Sequence, residues 1–322
     1  MPGFDAEFKD LPHYIYCITE RIWESRQVGT IRRYYHEQCP VRSTGGLVIG
    51  SEDVVRATLA TLAEFPDRRL LGEDVIWKGN DREGYLSSHR ILSTATHSGN
   101  GAYGAATGRR LQYRVIADCW VKNNQVCEEW LVRDQGAIAQ GLGMTPCQLA
   151  KQQISAGQKG FFMPSMDVPS AYALPMSTDE DAQAYLSLYQ EMWRNADLSV
   201  IGRRYHGAAT LYGANGVSYA GHRDIDKFHL SYLAAFRDLQ FTAHDLTATE
   251  NDNGKTVALR WSVSGKHSGV GAFSAPSQGA PLHLMAISQA RMGKGRITAE
   301  WLIVDEVAMW KQILVHGENS EL

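Results

Sequence analysis

The sequence predicts an α+β protein built from two tandem copies of one unit, each three helices followed by an antiparallel sheet. Three observations lead there. First, the chain repeats itself: Trp23, Ile31, Arg33, Tyr35 and His36 stand 170 residues before Trp193, Ile201, Arg203, Tyr205 and His206. After one added residue, Gly50, Asp53, Leu59, Leu62, Phe65, Asp67 and Asp74 fall on Gly221, Asp224, Leu230, Leu233, Phe236, Asp238 and Asp245. His97-Ser98-Gly99 then meets His267-Ser268-Gly269, and Glu129-Trp130-Leu131 with Asp134 meets Glu300-Trp301-Leu302 with Asp305. Second, apolar residues recur at helical spacing as far as Phe65 and at strand spacing beyond Pro66. Third, turn-forming residues cut the second part of each copy into strand-length pieces.

The elements follow in order. An amphipathic helix carrying Trp23 or Trp193 opens each copy, and a second short helix ends in Arg-x-Tyr-His. A short extended segment, 46–49 or 217–220, leads into a third helix. In the first copy Ser51-Glu52-Asp53 offers an N-cap with acidic residues in the first turn, and Val54, Val55, Leu59, Leu62 and Phe65 make its apolar face. Strands are expected near 74–78, 84–97, 109–121 and 125–135, divided by Gly79-Asn80-Asp81, the Gly-rich stretch 99–108 and Asn123-Asn124. The second copy has its turns at Asn253-Gly254, 268–281 and Gly293-Lys294-Gly295. Between the copies, 144–176 carries Pro146, Pro164, Pro169 and Pro175 and reads as a stiffened connector with a helix in part of 146–156, packed across a domain surface. Ser177 and Glu180 suit a capping box at the start of the next helix. The units are therefore 12–143 and 177–316.

Composition narrows the function. Of 322 residues 44% are hydrophobic and 21% charged, as in ordinary globular proteins. The net charge of -3, with no basic run, points away from nucleic acid and anionic membrane. A polar, acidic N-terminus and the lack of any apolar run near ~18 residues predict a chain neither secreted nor membrane-spanning, and so cytoplasmic. The five scattered cysteines fit reduced thiols. Gly99-x-Gly101-x-x-Gly104 precedes a strand rather than a helix, so it is no dinucleotide loop. His36 and Cys39 have ligand-like spacing, yet Cys39 corresponds to Ala209 and no paired CxxC or HExxH occurs. No cofactor or metal is expected.

Several of these pieces resemble the SnoaL-like polyketide cyclase family, within the superfamily named for nuclear transport factor two. They are Thr96-His97-Ser98-Gly99, Ala106-Thr107-Gly108-Arg109, Glu129-Trp130 with Asp134, and Gln140-Gly141-Leu142-Gly143. The second copy keeps His267-Ser268-Gly269 and Glu300-Trp301 with Asp305, but departs at Pro276-Ser277-Gln278-Gly279 and at Lys311-Gln312-Ile313. The resemblance implies a cystatin-like cone in each copy: a curved sheet closed by helices around a mostly apolar pocket, paired through the outer sheet faces. Two copies in one chain would then form an intrachain pseudo-dimer. Relatives in the superfamily include cyclases, ketosteroid isomerase, scytalone dehydratase and non-catalytic proteins, so the resemblance speaks to fold more than to reaction.

Asp134 and Asp305 lead the site candidates. Each follows a Glu-Trp-Leu strand and an apolar Val132 or Val304, and among apolar neighbours its carboxyl would titrate upward toward neutrality, as a general acid or base requires. The family's acid/base Asp stands at the matching place. The alternative is an Asp that caps the following turn. His97 and His267 could polarise a carbonyl or orient that Asp, or else stabilise the turn beside them. Tyr35, His36 and Tyr205 fall where the family has pocket-mouth residues, with Trp130, Trp301 and Asp118 as further substrate contacts or walls. The expected function is a cofactor-independent enzyme acting on a small apolar or carbonyl-containing molecule, with the first copy active; the alternative is a non-catalytic binding module. A homodimer beyond the intrachain pair is also compatible.

Overall fold

The fold is that of a computed structural model describing residues 1–251, 254–276 and 278–320. Asn253 and Ser277, which belong to two of the expected turns, lie outside the described residues. The first repeat runs α1 (Leu11–Thr19), α2 (Ile31–Tyr34), β1 (Pro40–Ser43), β2 (Gly46–Ile49), α3 (Ser51–Glu64), β3 (Arg69–Asn80), β4 (Gly84–Thr96), β5 (Arg110–Lys122), β6 (Gln125–Arg133) and α4 (Gln135–Gly141). The connector contributes α5 (Pro146–Ser155). The second repeat runs α6 (Glu180–Asn195), α7 (Val200–Arg204), β7 (Tyr205–Tyr212), β8 (Ser218–Ala220), α8 (Gly221–Ala234), β9 (Phe236–Asn251), β10 (Gly254–His267), β11 (Pro281–Gly293), β12 (Arg296–Ile303) and α9 (Glu306–Ser320). None of the described helices is long and apolar enough to cross a membrane.

Each repeat forms a six-stranded sheet, in the orders β2-β1-β6-β5-β4-β3 and β8-β7-β12-β11-β10-β9. The expected antiparallel meander is present as four strands. The hairpin β1-β2 is then added with β1 parallel to β6, and β7 likewise joins parallel to β12. Short β1 and β7 lack the alternating run that would have announced them, and Tyr205 opens β7 instead of ending a helix. The terminal helices α4 and α9 were also unforeseen.

Local chemistry sets the helix ends. Asp10 caps α1 by accepting the N–H of His13 at 2.8 Å. Helix α1 continues into a π-helical turn, Glu20–Glu24, that α6 lacks. Gly50 precedes α3 at φ 96, and an added Cβ there would meet the Glu37 carbonyl oxygen at 2.7 Å, so the helix starts on a glycine position and Ser51 is not its cap. Asp179 caps α6 through the N–H groups of Asp181 and Ala182, in place of the expected Ser177 box.

The outer sheet faces meet. Ile116 and Val132 pack with Met285, Ile287 and Ile303. The Arg90 guanidinium lies 3.7 Å from the Trp301 ring centroid, and Arg260 stands at the same 3.7 Å from Trp130. These reciprocal contacts make the chain an intrachain pseudo-dimer. The connector binds both halves: Phe162 donates its N–H to Thr44 at 3.0 Å, and the Tyr172 hydroxyl donates to Asp245 at 2.7 Å. All five cysteines are free thiols.

Candidate functional site

Strand parity decides which β6 side chains face the interior. Glu129, Leu131 and Arg133 point into the first repeat, whereas Glu128, Trp130, Val132 and Asp134 point to the outer face. The interior residues help enclose a cavity of about 300 Å³ between the helices α1 and α3 and the inner side of the sheet. Exposed Gly45, in the β1-β2 turn, and Ala57, on α3, stand at its rim.

The cavity has an apolar wall with a few polar groups. Tyr35, at the C-cap of α2, donates its hydroxyl to Glu129 Oε2 at 3.0 Å. Burial raises the Glu129 carboxyl to about 7, against the opposing pull of the Tyr35 hydrogen bond and the Arg133 charge. Burial also holds the Tyr35 hydroxyl protonated, and it lowers His89 to about 4, leaving a neutral imidazole 3.2 Å from Ser87 Oγ. Arg68 donates through Nε to Ser93 Oγ at 3.0 Å and lies 4.5 Å from the Trp23 ring centroid. Its Nη1 and the Arg133 Nε are buried without a hydrogen-bond partner. Together these groups offer a carboxyl able to exchange a proton near neutrality, a hydroxyl donor, and two guanidiniums with spare donors for a partly negative oxygen.

The second repeat fills the same space. Thr19, Ala57, Thr58, Thr61, Leu70 and Ile91 are replaced by Tyr189, Phe228, His229, Tyr232, Phe241 and Trp261. The Tyr189 and Trp261 rings stand 5.1 Å apart, Phe241 and Trp261 5.7 Å, and Phe228 and Tyr232 4.8 Å. Glu300, the counterpart of Glu129, accepts hydroxyl hydrogens from Tyr185, Tyr189 and Tyr205. His229 is buried with neither ring nitrogen bonded, and burial lowers it to about 3.

Of the site candidates chosen from the sequence, Tyr35 alone lines the cavity, where the repeat residues Trp23, Glu129 and Leu131 join it. Asp134 lies on the outer face, where it caps α4 through the Ala137 N–H at 2.9 Å and accepts the N–H groups of Asn215 and Gly216 from the second repeat at 3.0 and 2.9 Å. Asp305 caps α9 through Ala308 at 3.0 Å and accepts the Thr44 hydroxyl of the first repeat at 2.6 Å. Burial raises both carboxyls, Asp134 to about 7 and Asp305 to about 6, so the expected shift is present away from the cavity. His97 is buried between Glu64, at 3.2 Å, and Thr107, at 3.1 Å, and the same Glu64 holds the N–H groups of Ala102 and Tyr103. His267 meets the Phe273 carbonyl at 2.6 Å. Both histidines therefore secure the loops after β4 and β10.

Trp130, Trp301 and Asp118 belong to the contact between repeats, with Arg260 donating to Asp118 at 3.1 Å. Tyr205 is locked on Glu300, and His36 is exposed, accepting the Gln38 N–H at 3.2 Å. Sequence reasoning passed over Glu129, Arg68, Arg133 and His89. A signal for three of them was present in the repeat, since Arg68, Arg133 and His89 correspond to Leu239, Val304 and Leu259. At these places the interior of the first copy is polar where that of the second is apolar.

The profile of the SnoaL-like polyketide cyclase family matches residues 14–142 and 183–313. The chain belongs to that family, in two tandem copies. Among solved structures it is similar to a proposed polyketide cyclase, IdmH, from Streptomyces antibioticus, with 19% identity over 42% of this chain and 100% of that one at a TM-score of 0.37. It is also similar to a proposed SnoaL-like polyketide cyclase from Jannaschia sp. CCS1, with 16% identity over 44% and 97% of the two chains and a TM-score of 0.38. A steroid delta-isomerase from Pseudomonas aeruginosa shares 21% identity over 46% and 96%, with a TM-score of 0.31. A comparison with curated proteins finds no match.

Proposed function

We propose that the first repeat is a cofactor-independent enzyme domain acting on a small carbonyl-containing molecule, and that the second repeat is its non-catalytic partner. The observation that carries this reading is Glu129, a buried carboxyl raised to about 7 on the cavity wall and bonded to Tyr35. As the carboxylate it takes a proton from a carbon next to the substrate carbonyl, and as the acid it returns the proton to another atom of the same molecule. The oxygen that gains charge between the two transfers is met by the free donors of Arg68 and Arg133. His89, neutral at working pH, contributes a hydrogen bond and no charge. Isomerisation, ring closure and dehydration all use this pair of proton transfers, and the membership in a cyclase family favours the first two.

The test is turnover of small ketones, 3-oxo acids and their esters by the full chain. Glu129→Gln is expected to lower turnover by ~10²–10⁴, the usual contribution of a general acid/base, while Asp134→Asn leaves the chemical step unchanged. Full turnover by Glu129→Gln would remove the proposal. Tight binding of a carbonyl compound with no turnover by the wild type would support a binding module instead.

A further inference from the structure

A second cavity of about 270 Å³ lies against the first, on the far side of Thr19, Leu70, His89 and Ile91, which line both. Its own walls include Ile15, Tyr16 and Leu71, and the last two are 40% and 51% exposed, so this chamber reaches the protein surface at the edge formed by α1 and β3. The π-helical turn Glu20–Glu24 borders it, and a π turn set beside a cavity is a frequent mark of a functional site. The second repeat again supplies an internal comparison. There Tyr189, Phe241 and Trp261 take the places of Thr19, Leu70 and Ile91, Tyr185 takes that of Ile15, and α6 is regular throughout. The waist is thus filled by aromatic rings in the second copy.

Charge gives the two chambers a direction. The inner one holds the guanidiniums of Arg68 and Arg133, each with a buried donor unpartnered, against the single carboxyl of Glu129, raised by burial to about 7. The outer one is mostly aliphatic and aromatic, and its charged groups are two carboxylates already engaged, Glu24 with the Leu70 N–H at 3.0 Å and Glu20 with Ser25 at 2.7 Å. An anionic or enolisable head is therefore attracted inward and repelled from the outer rim, while an apolar tail gains by filling the outer chamber.

We propose that the two chambers form one passage for an elongated molecule with an acidic, oxygenated head and an unbranched apolar tail, of the class of medium-chain fatty acids and their 3-oxo derivatives. The head sits with Arg68 and Arg133, and the tail passes the waist and ends beside Ile15 and Tyr16. This rests on the reading of the inner cavity as the substrate site.

The experiment is calorimetric titration of the full chain with butanoate, octanoate and decanoate. Affinity is expected to rise by up to roughly fourfold per methylene, the ~0.8 kcal/mol of a buried CH₂ converted at ~1.4 kcal/mol per factor of ten. Ile15→Phe, which shortens the outer chamber, should end that gain at a shorter chain while leaving butanoate unaffected. Ile15→Ala should extend it to a longer chain. Arg68→Gln, or Arg133→Gln should the first variant fold poorly, should weaken all three ligands together. Binding that depends on these arginines, yet neither grows with chain length nor responds to Ile15, overturns the passage and leaves the inner site standing. Decanoate binding indifferent to both arginines overturns the inner site as the head-group pocket, and absence of decanoate binding overturns the passage.

Discussion

The Tyr35 hydroxyl donates to the Glu129 carboxylate at 3.0 Å inside an open cavity, and this is the only one of the two equivalent pairs with room beside it. In the second repeat Tyr205 makes the same bond to Glu300, but Tyr185 and Tyr189 also donate to that carboxylate, and aromatic rings fill the space. One hydrogen bond shared by both copies lines a cavity in one and is part of a packed core in the other.

Removing the Tyr35 hydroxyl should push Glu129 further upward, because the bond stabilises the charged form. With Tyr35→Phe the acid limb of the rate profile is expected to move up by roughly one to two pH units, from the ~1.5–3 kcal/mol that a hydrogen bond to an ionised group contributes at ~1.4 kcal/mol per unit. The pH dependence of kcat/KM measures it, and an unmoved limb would separate Glu129 from the chemistry.

Glu129 should make stability fall as pH rises from about 4.5 to about 7, while His89 and His229, lowered by burial from 6.5 to about 4 and about 3, act with the opposite sign below 6.5. In that window the folded protein keeps a proton on Glu129 that the unfolded chain, with its ordinary value of 4.5, has released. Burial raises Asp134 to about 7 and Asp118 and Asp305 to about 6, from 3.8 in each case, which adds to the fall with the same sign. The stability of the wild type relative to Glu129→Gln, read by thermal unfolding, should fall across that window.

Asp134→Ala removes a helix cap and leaves the Asn215 and Gly216 amides unpaired between the repeats. The expected cost is ~2–4 kcal/mol, the cap and the lost partner acting together. Thr44→Val, which takes the hydroxyl from Asp305 on the opposite side, should cost ~1–3 kcal/mol. Denaturant unfolding reads both.

Trp261→Ala should destabilise the chain by ~3–5 kcal/mol, because the ring is fully buried among Tyr189, Trp193 and Phe241. Ile91→Ala, on the cavity wall, should cost less than an ordinary buried isoleucine, since part of its surface faces empty space and has no packing partner to lose. Equal behaviour of Ile91 and a fully packed isoleucine such as Ile287 would argue against a standing cavity.

Much of this protein was legible in its residues. The duplication, the four-stranded meander and the order of the three leading helices follow from periodicity and from aligning the chain with itself. Parity was legible too: Asp134 shares a face with Val132 and Trp130. What a strand cannot say is which of its faces is concave, because alternation assigns residues to two sides and only the packing of helices, and of the other repeat, makes one side the interior. Glu-Trp therefore carried both possibilities. The fold turned Trp130 and Asp134 outward to join the repeats, and it turned Glu129, one residue away, into the cavity.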